Sequence, residues 1–415
     1  MTPPLDAAAR AARPARPGDD AQVRHEPCVL LKLGEIVLKG RNRQQFERLL
    51  HANIRSAVGG LGFTTRLWQR DGVILLRVGD DTAEPEKAAD ALADRVRDVP
   101  GIARVCRALR VDKTPEAAAQ AAVELTAARA GSFAVRARRR DKRFAMRSSE
   151  LAAYIGARVQ QAHGYPVNLS SPDTTVFVEV DHHEVFVFTE GLPGQGGLPV
   201  GMSGRGLVLM SGGIDSPVAA YRMIRRGLRC DFLHFSGMPL TGPESVYKAY
   251  ALTRGLDRFQ GRSRLFVVAF GKAQQKLASS GAGRLQVVAQ RRLMLRTGEI
   301  LARRLHGGAL VTGDSLGQVS SQTLTNITAL DDATAMPVLR PLIGWDKTEI
   351  MAEARRIRTL EISELPDQDC CTLLTPRRVE TRARIDDLRR IESRLDAGDL
   401  AEQLADAAQE YRPGA

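Results

Sequence analysis

The order of apolar and polar positions from residue 28 to 111 predicts a small α+β unit. Apolar runs at 28–33, 64–68, 73–78 and 103–111 have the length of strands. Phe46, Leu49, Leu50, Ile54 and Val58 follow a helical spacing, and a second helix is predicted at 84–97. The resulting order, strand-helix-strand-strand-helix-strand, is that of a ferredoxin-like unit.

The next stretch predicts a second α+β module and then a boundary. Helices are predicted at 115–130 and 148–163, and strands at 132–138, 175–180 and 184–189. Residues 191–206 (GLPGQGGLPVGMSGRG) are rich in glycine and proline. Such a composition is typical of a linker or loop and indicates a domain boundary.

From residue 207 onwards, short apolar runs alternate with helical patterns. Strands are predicted at 207–210, 231–235, 265–270 and 309–312, with helices at 217–226, 243–257 and 284–305 between them. This alternation predicts a doubly wound parallel sheet. Ligands of such sheets bind beyond the carboxyl ends of the strands, which here precede 211–216, 234–235 and 312–314.

The loop after the first of these strands reads SGGIDS, from Ser211 to Ser216. A strand, a glycine turn and a helix N-terminus together form an anion site, and the two glycines are expected to adopt φ values forbidden to other residues. No Gly-Lys-Ser/Thr follows, so this is not a Walker loop. The loop resembles that of the PP-loop ATPases, which adenylate a substrate and release pyrophosphate. The alternative is an ordinary glycine-rich turn.

Charge and composition narrow the class of partner. The 415 residues carry a formal net charge of +12, which favours a polyanion such as nucleic acid over the competing choice, a membrane surface. No apolar run reaches the length of a membrane span. Residues 1–24 are expected to be a disordered basic tail without the apolar core of a secretory signal. Five cysteines without CxxC spacing fit a reducing cytoplasm.

A basic segment follows the strand predicted at 132–138. Residues 136–147 carry seven basic residues and one acid, with Phe144 among them. Basic groups with an interleaved aromatic fit a phosphate backbone and an exposed base. The candidate RNA-binding residues are Lys39, Arg41, Arg136, Arg138, Arg139, Arg140, Lys142 and Arg143. For Lys39 and Arg41 alone, a solvated surface is the simpler interpretation.

Several strings together resemble the tRNA 4-thiouridine synthetases, or tRNA sulfurtransferases, in the form that lacks a rhodanese domain. They are LGEIVLKGRNRQQFE (33–47), RARRRDKRF (136–144), SGGIDSP (211–217), QRRLMLR (290–296), TGDSLGQVSSQTLTN (312–326), PVLRPLIGWDKTEI (337–350) and DCCTLLTP (369–376). The resemblance spans about 28–380. SGGIDSP and TGDSLGQVSSQT are its most specific parts.

The resemblance implies an α/β protein with a ferredoxin-like domain, a THUMP RNA-binding domain and a doubly wound PP-loop domain. We place them at 25–84, 85–191 and 207–380, with a linker at 192–206 and a helical extension at 381–415. The implied reaction adenylates O4 of a uridine, at tRNA position 8 in the family, with ATP and Mg²⁺. Persulfide sulfur then displaces AMP and gives 4-thiouridine. The implied partners are tRNA and a cysteine desulfurase. The expected location is the cytoplasm, without membrane, and a homodimer is left open.

The resemblance and the local chemistry together give a candidate nucleotide site. Its members are Leu209, Met210, Ser211, Gly212, Gly213, Asp215, Ser216, His234, Phe235, Arg291, Gly313 and Gln322. We assign Asp215 a Mg²⁺ contact, because a carboxylate facing phosphates is repelled unless a metal bridges them; the alternative is a helix cap. Phe235 and His234 could instead be strand core, Arg291 a surface arginine and Gln322 a brace of its loop. Asp346 and Glu349 are expected to cap a helix.

The resemblance places the catalytic cysteine in DCCT, with Cys370 as first choice and Cys371 as second. The other three cysteines are expected to be buried. Many bacterial members add a rhodanese domain with a second essential cysteine, which this sequence lacks. We therefore expect the persulfide to arrive by another route, and the family's sulfur-carrier role in thiamine thiazole synthesis is doubtful here.

Two other functions compete with sulfur transfer. A PP-loop synthetase could form an amide on a small molecule, but no ammonia source is visible and the basic segment would have no role. A non-catalytic RNA-binding protein would have no use for an intact SGGIDS. The sequence leaves open the sulfur donor, the oligomeric state and the roles of the tail and the C-terminal extension.

Overall fold

The computed structural model describes residues 25–70, 72–80, 82–367, 374, 376 and 378–414. They form two compact units. One comprises Cys28–Arg107 and the chain from Gly191 onwards, and the other comprises Ala108–Glu190 with the residues up to Pro27. The tail predicted at 1–24 lies outside the described residues. In the part of the chain so described, no helix is both long and apolar enough to span a bilayer.

The first elements confirm the ferredoxin-like order. They are β1 (Glu26–Leu33), a 3-10 turn (Glu35–Leu38), α1 (Arg43–Val58), β2 (Thr65–Arg70), β3 (Val73–Val78), α2 (Pro85–Val96) and β4 (Ile102–Val111). The strand order is β2-β3-β1-β4, and β3 pairs antiparallel with both β2 and β1. α1 buries four of the five apolar residues whose spacing predicts it, and the fifth, Leu49, is partly buried.

The unit around Ala108–Glu190 contains two helices and three further strands. They are α3 (Pro115–Thr126), β5 (Phe133–Arg139), α4 (Ser148–His163), β6 (Thr174–Val180) and β7 (Val185–Phe188). β5 pairs parallel with β6, and β6 pairs antiparallel with β7. Local signals set the helix ends: the Thr114 hydroxyl accepts from the Ala117 N–H at 3.2 Å, and Gly164 ends α4 at φ +70°.

The remaining chain builds a six-stranded, mostly parallel sheet with helices on both faces. In chain order the elements are β8 (Leu192–Pro193), β9 (Arg205–Leu209), α5 (Asp215–Arg225), β10 (Arg229–Ser236), α6 (Glu244–Gln260), β11 (Leu265–Ala269), α7 (Gly271–Ser279), α8 (Gln286–Arg304), β12 (Leu310–Val311), α9 (Leu324–Asp331), β13 (Val338–Leu339), α10 (Lys347–Arg356), α11 (Leu360–Ser363), α12 (Ile385–Leu395), α13 (Ala397–Asp406) and β14 (Gln409–Tyr411). The sheet order is β13-β12-β9-β10-β11-β14, and β8 pairs with β4. The predicted doubly wound sheet is confirmed.

Successive residues of each strand feed two separate cores. Leu207 and Leu233 pack on one face with α8, α12 and α13, whereas Val208 and Phe232 pack on the other with α5 and α6. This arrangement explains why these strands read as continuous apolar runs, because both faces are buried. The SGGIDS loop lies at the carboxyl edge of this sheet, where β9 ends and α5 begins.

A buried ion network joins α8 to α12. Arg292 is fully buried and donates to Glu392 at 2.6 Å and to Asp332 at 3.0 Å. The same helix, α8, also carries Arg291 of the candidate nucleotide site. A buried guanidinium requires such paired carboxylates, since an unpaired buried charge is strongly destabilising.

Candidate functional site

The SGGIDS loop is closed by its own hydroxyl groups. The buried Ser216 hydroxyl accepts from the backbone N–H of Ser211 at 3.1 Å and lies 3.1 Å from the Ser211 hydroxyl. The prediction that these glycines adopt φ values forbidden to other residues is wrong, since neither Gly212 nor Gly213 has a positive φ. Space is the reason for glycine at 212: a Cβ there would lie 2.6 Å from Asp367 Oδ2 and 3.0 Å from Lys248 Cδ.

A cavity of about 360 Å³ opens beside this loop at the carboxyl edge of the sheet. Its lining includes nine of the twelve predicted nucleotide-site residues: Leu209, Met210, Ser211, Asp215, Ser216, Phe235, Arg291, Gly313 and Gln322. Gly212, Gly213 and His234 are not among the residues that line it. The volume is within the range of small-molecule sites.

His234 and Phe235 take different positions. The His234 ring is 1% exposed; its Nδ1 lies 2.9 Å from the Met210 carbonyl oxygen and its Nε2 3.1 Å from the Ser245 hydroxyl. Because both ring nitrogens are in hydrogen bonds, the ring links β10 to the end of β9 and to α6, and His234 does not line the cavity. Phe235 lines the cavity and packs edge-on against Phe270.

Asp215 does not cap its helix. It is the first residue of α5 and its carboxylate makes no cap hydrogen bond. Instead, Oδ1 accepts from Lys347 Nζ at 2.8 Å, and Oδ2 accepts from Gln318 Nε2 at 2.9 Å. Sequence reasoning missed both partners, since Lys347 lies 132 positions away. Lys347 therefore places a cation beside the SGGIDS loop.

The capping box that precedes Lys347 is confirmed. Asp346 Oδ1 accepts from the Glu349 N–H at 2.9 Å, and Glu349 accepts from the Asp346 N–H at 3.0 Å. These two carboxylates therefore cap the N-terminus of α10. The cap sets where α10 begins, and so positions Lys347, its first residue, toward Asp215.

Asp314 is the centre of a second polar group in the cavity wall. It is 3% exposed and accepts from Arg291, from Thr312 at 2.8 Å, from Gln322 at 3.2 Å and from Arg340 at 3.3 Å. Burial raises the pKa of Asp314, but the charges of the two arginines and the threonine hydrogen bond outweigh it, so the net shift is downward. The group is therefore ionised and holds Arg291 in place.

Some buried polar atoms near the cavity have no hydrogen-bond partner among the described residues. They are Arg291 Nη1, Gln322 Oε1 and Gln318 Oε1. Unpaired buried donors and acceptors are costly in a folded protein and call for an explanation such as a ligand. A nucleotide offers phosphate oxygens to the guanidinium and amino or hydroxyl donors to the amide oxygens. Arg291 and Gln322 thus both line the cavity, and each has one buried polar atom available for a ligand.

A metal would need ligands from the nucleotide itself. Within the described ranges, no group of three His, Cys, Asp or Glu side chains could hold an ion. Mg²⁺ is commonly bound by one or two carboxylates together with substrate phosphates. Asp215 fits that pattern as a single carboxylate at the phosphate loop, and its present partners, an ammonium and an amide, are replaceable by a cation.

The residues of the basic segment differ in exposure and in hydrogen bonding. Arg136, Arg138, Lys142 and Arg143 are exposed. Arg139 donates to the Phe144 carbonyl at 3.1 Å, and Arg143 donates to Asp141. Arg140 is partly buried at the end of the strand.

Phe144, the aromatic residue of this segment, is not available to an exposed base. Phe144 is 8% exposed and packs in the core of its unit. The cause is the turn after β5, where Lys113 holds Asp141 at 2.5 Å and the chain folds inwards. Phe144 therefore cannot stack on a base.

Lys39 and Arg41, the other two candidate RNA-binding residues, differ in exposure and contacts, and three of the cysteines are buried. Arg41 is exposed, while Lys39 lies 3.3 Å from Glu35 and over the Phe46 ring. Cys28, Cys106 and Cys230 are buried and outside disulfides, as expected. Cys370 and Cys371 lie outside the described residues.

Family models match three consecutive parts of the chain. They are described as the ThiI ferredoxin-like domain at 28–106, the THUMP domain at 109–190 and the thiamine biosynthesis protein ThiI at 201–397.

Named relatives match along most of the chain. A probable tRNA sulfurtransferase of Nocardia farcinica is 54% identical over 396 residues, 93% of this chain and 94% of the relative. That of Thermus thermophilus is 42% identical over 90% of this chain and 91% of the relative. A crystal structure of a 4-thiouridine synthetase–RNA complex with bound ATP matches with TM-score 0.84 and 30% identity over 93% of this chain and 99% of that one. The chain belongs to the tRNA sulfurtransferase family.

Proposed function

We propose that this chain uses ATP to adenylate O4 of a uridine in tRNA and then replaces that oxygen with sulfur, giving 4-thiouridine. The observation that carries the proposal is the cavity beside SGGIDS, whose wall presents an unpaired guanidinium N–H of Arg291. The similarity to a 4-thiouridine synthetase solved with RNA and ATP supports it. The names of the relatives favour it over an amide-forming synthetase.

In the first step, O4 attacks the α-phosphorus of ATP. The O4–P bond forms and the N3 proton of the uracil is lost to water, while the bond from the α-phosphorus to the bridging oxygen breaks and pyrophosphate leaves with the bonding electrons; N3 regains a proton when 4-thiouridine is released. Negative charge grows on the phosphates, so fixed cations beside them lower the barrier. We assign this role to Arg291, which lines the cavity and is held by Asp314, and to Lys347, which is paired with Asp215 beside the loop. When bound, Mg²⁺ would neutralise phosphate charge, and Asp215 would hold it.

In the second step, the terminal sulfur of a persulfide on Cys370 attacks C4 of the uridine. The C–S bond forms, the C4–O4 bond breaks and AMP leaves with its electron pair. An external thiolate then attacks the cysteine sulfur and releases 4-thiouridine; a second thiol reduces the resulting disulfide. A cysteine desulfurase would load the persulfide, with Cys371 as the second candidate carrier.

For RNA binding, we propose that the unit around Ala108–Glu190 contacts tRNA through the basic segment. The exposed residues Arg136, Arg138 and Lys142 are suited to phosphate contacts. Arg139, Arg140 and Arg143 would support the same surface. A reducing cytoplasm would keep the carrier thiol available. The proposal does not extend to thiamine thiazole synthesis.

The test compares acceptors and products. Pyrophosphate release from ATP should rise when uridine-containing tRNA is added and stay at its basal rate with small amine acceptors. Mass spectrometry of nucleosides from a deletion strain should show that 4-thiouridine is lost and that the intact gene restores it. Stimulation by amines, or unchanged 4-thiouridine in the deletion strain, would refute the proposal.

A further inference from the structure

The loop between β12 and α9 belongs partly to the cavity wall and partly to the outer surface. Ser321 and Gln322 line the cavity, whereas Leu316 is 52% exposed. Val319 does both, since it lines the cavity and is 51% exposed, so it lies at the rim. The loop therefore borders the place where a second substrate would meet a nucleotide held in the cavity.

Backbone hydrogen bonds fix the shape of this loop. The Leu316 N–H donates to the Ile343 carbonyl at 3.0 Å, and the Gly317 N–H donates to the Gln322 carbonyl at 2.9 Å. Gly317 has a φ of +75°, which glycine adopts without strain. A ligand that binds here would meet a surface that is already formed, and so would lose little affinity to ordering of the loop.

Gln318 presents an unpaired acceptor on the same loop. Its Nε2 donates to Asp215 Oδ2 at 2.9 Å. Because carboxylate oxygens accept hydrogen bonds, this contact requires the amide nitrogen to face Asp215 and turns Oε1 away from it. Oε1 is buried and has no hydrogen-bond partner in the part of the chain that the structure describes. A buried acceptor of this kind calls for a ligand that donates to it.

ATP in the cavity does not account for this acceptor. Gln322 lines the cavity, but Gln318 is not among the lining residues. The donor is therefore expected from a molecule that approaches Asp215 from outside the cavity. In the proposed reaction, that molecule is the target uridine of tRNA.

Uracil carries a matching donor next to its reacting oxygen. The only ring N–H of uridine is N3–H, and N3 is bonded to C4, which carries O4. A hydrogen bond from N3–H to Gln318 Oε1 would thus hold O4 close to Asp215 at the phosphate loop. Cytidine in its neutral form has neither a hydrogen at N3 nor an oxygen at C4. Enzymes that act on a base take it out of the stack, read its Watson–Crick edge through hydrogen bonds and hold its faces against apolar or aromatic side chains.

We propose that the outer side of this loop is the uracil subsite, in which Gln318 Oε1 accepts from N3–H, and Leu316 and Val319 contact the face of the base. The inference rests on the proposed function, since it requires a uridine as the acceptor of the adenylyl group. As O4 attacks the α-phosphorus, N3–H becomes more acidic, so this hydrogen bond strengthens until the proton is lost to water. Gln318 is thus assigned to the recognition of uridine, and not to the binding of ATP.

The first measurement locates the base and needs no turnover. Full-length protein is mixed with a non-hydrolysable ATP analogue and with tRNA that carries 4-thiouridine, introduced chemically, at the target position. Near-ultraviolet light then crosslinks the thiocarbonyl base to the residues that it contacts, and mass spectrometry of the peptides maps them. We expect the crosslinks at residues 316–319. Crosslinks found only elsewhere would overturn the subsite.

The second measurement follows pyrophosphate release with and without tRNA in three variants. Gln318→Leu removes the acceptor, Leu316→Ser removes an apolar contact outside the cavity, and Ser320→Ala, exposed on the same loop, is the matched control. We expect the ratio of tRNA-stimulated to basal release to fall roughly tenfold in Gln318→Leu and severalfold in Leu316→Ser. The affinity for the ATP analogue should stay within threefold of wild type, and the control should match wild type throughout.

A role through Asp215 alone would give a different result. Gln318→Leu would then lower basal and stimulated release by the same factor, because Asp215 serves the phosphates in both, and the assignment to uracil would be wrong. An unchanged ratio in both Gln318→Leu and Leu316→Ser would overturn it as well. The crosslinking uses wild-type protein, so it decides the question even if a variant is unstable. Wild-type protein that forms no 4-thiouridine would instead refute the proposed function, whereas crosslinks elsewhere in a protein that does form it refute the subsite alone.

Discussion

The nucleotide cavity and the basic segment both depend on arginine, but they use its charge in opposite ways. In the cavity wall, Arg291 is held by a carboxylate, Asp314, that is 3% exposed. In the basic segment, Arg136 and Arg138 are exposed on β5. The first arrangement places one charge at one point. The second provides charge density along a surface.

This difference has consequences for energy and for salt. Charges in a partly buried cavity interact strongly because little water screens them. Exposed charges are screened beyond a Debye length of about 8 Å at physiological ionic strength. Removing one cavity group should therefore be severe and insensitive to salt, whereas removing one surface group should be mild and detectable chiefly through salt dependence.

The largest effect is expected from Asp215→Ala. Loss of this carboxylate leaves Lys347 and Gln318 without their partner and removes the candidate metal contact. Pyrophosphate release should fall by about 10²- to 10³-fold, with tRNA affinity within twofold of wild type. Asp399→Ala, an exposed aspartate of α13, is the control. Near-normal thiolation in Asp215→Ala would show that this carboxylate has no catalytic role.

A smaller loss is expected from Arg291→Met. A hydrogen bond to a charged group contributes about 1.5–3 kcal/mol, so kcat/KM for ATP should fall roughly tenfold to hundredfold. Arg296→Met is the matched control, because Arg296 lies on the same helix but pairs with Glu392. Equal losses in the two variants would mean that α8 was damaged, and that the cavity contact has not been isolated.

The basic segment should respond through its salt slope. In Arg136→Gln/Arg138→Gln/Lys142→Gln, the slope of log Kobs for tRNA against log salt should flatten by about two to three units, since each lost phosphate contact removes roughly 0.7–0.9. Arg129→Gln/Arg158→Gln removes charge from the same unit as a control. An unchanged slope in the triple variant would move the RNA-binding surface elsewhere, with Lys39 and Arg41 as the next candidates.

The smallest effect concerns the pH dependence of stability near the basic segment. Hydrogen bonds from Lys113 and from the Arg143 backbone hold the pKa of Asp141 well below its ordinary value of 3.8. The ionised Asp141 carboxylate therefore stabilises the folded protein above about pH 4, and this contribution to the free energy of unfolding is lost as the pH falls further. Asp141→Asn should lower Tm by a few degrees at pH 7, and the gap should close in acid. A constant gap across this range would exclude the ion pair as its cause.

Local sequence patterns predicted most of the strands and helices, but not all of them. The apolar runs predicted the sheet and the SGGIDS loop, because parallel strands are buried on both faces and leave a clear pattern. The capping box of Asp346 and Glu349 was also predictable from the sequence, since the two residues lie three positions apart. β14 was missed, because three exposed residues carry no periodicity.

Partners far apart in sequence could not be predicted. Lys347 and Gln318 reach Asp215 only because β12 and β13 bring their loops to the edge of β9. Lys248 and Asp367 likewise lie 119 positions apart. The position of Phe144 could not be predicted for a related reason: it lies among basic residues in sequence, but it packs in the core of its unit.

The most direct test follows the oxygen that leaves the uridine. A tRNA carrying ¹⁸O at uridine O4 is incubated with the enzyme, ATP and a sulfur source, and the AMP produced is analysed by mass spectrometry. If O4 attacks the α-phosphorus and the C4–O4 bond later breaks, one ¹⁸O must appear in AMP for each 4-thiouridine formed. Unlabelled AMP alongside 4-thiouridine would contradict the account.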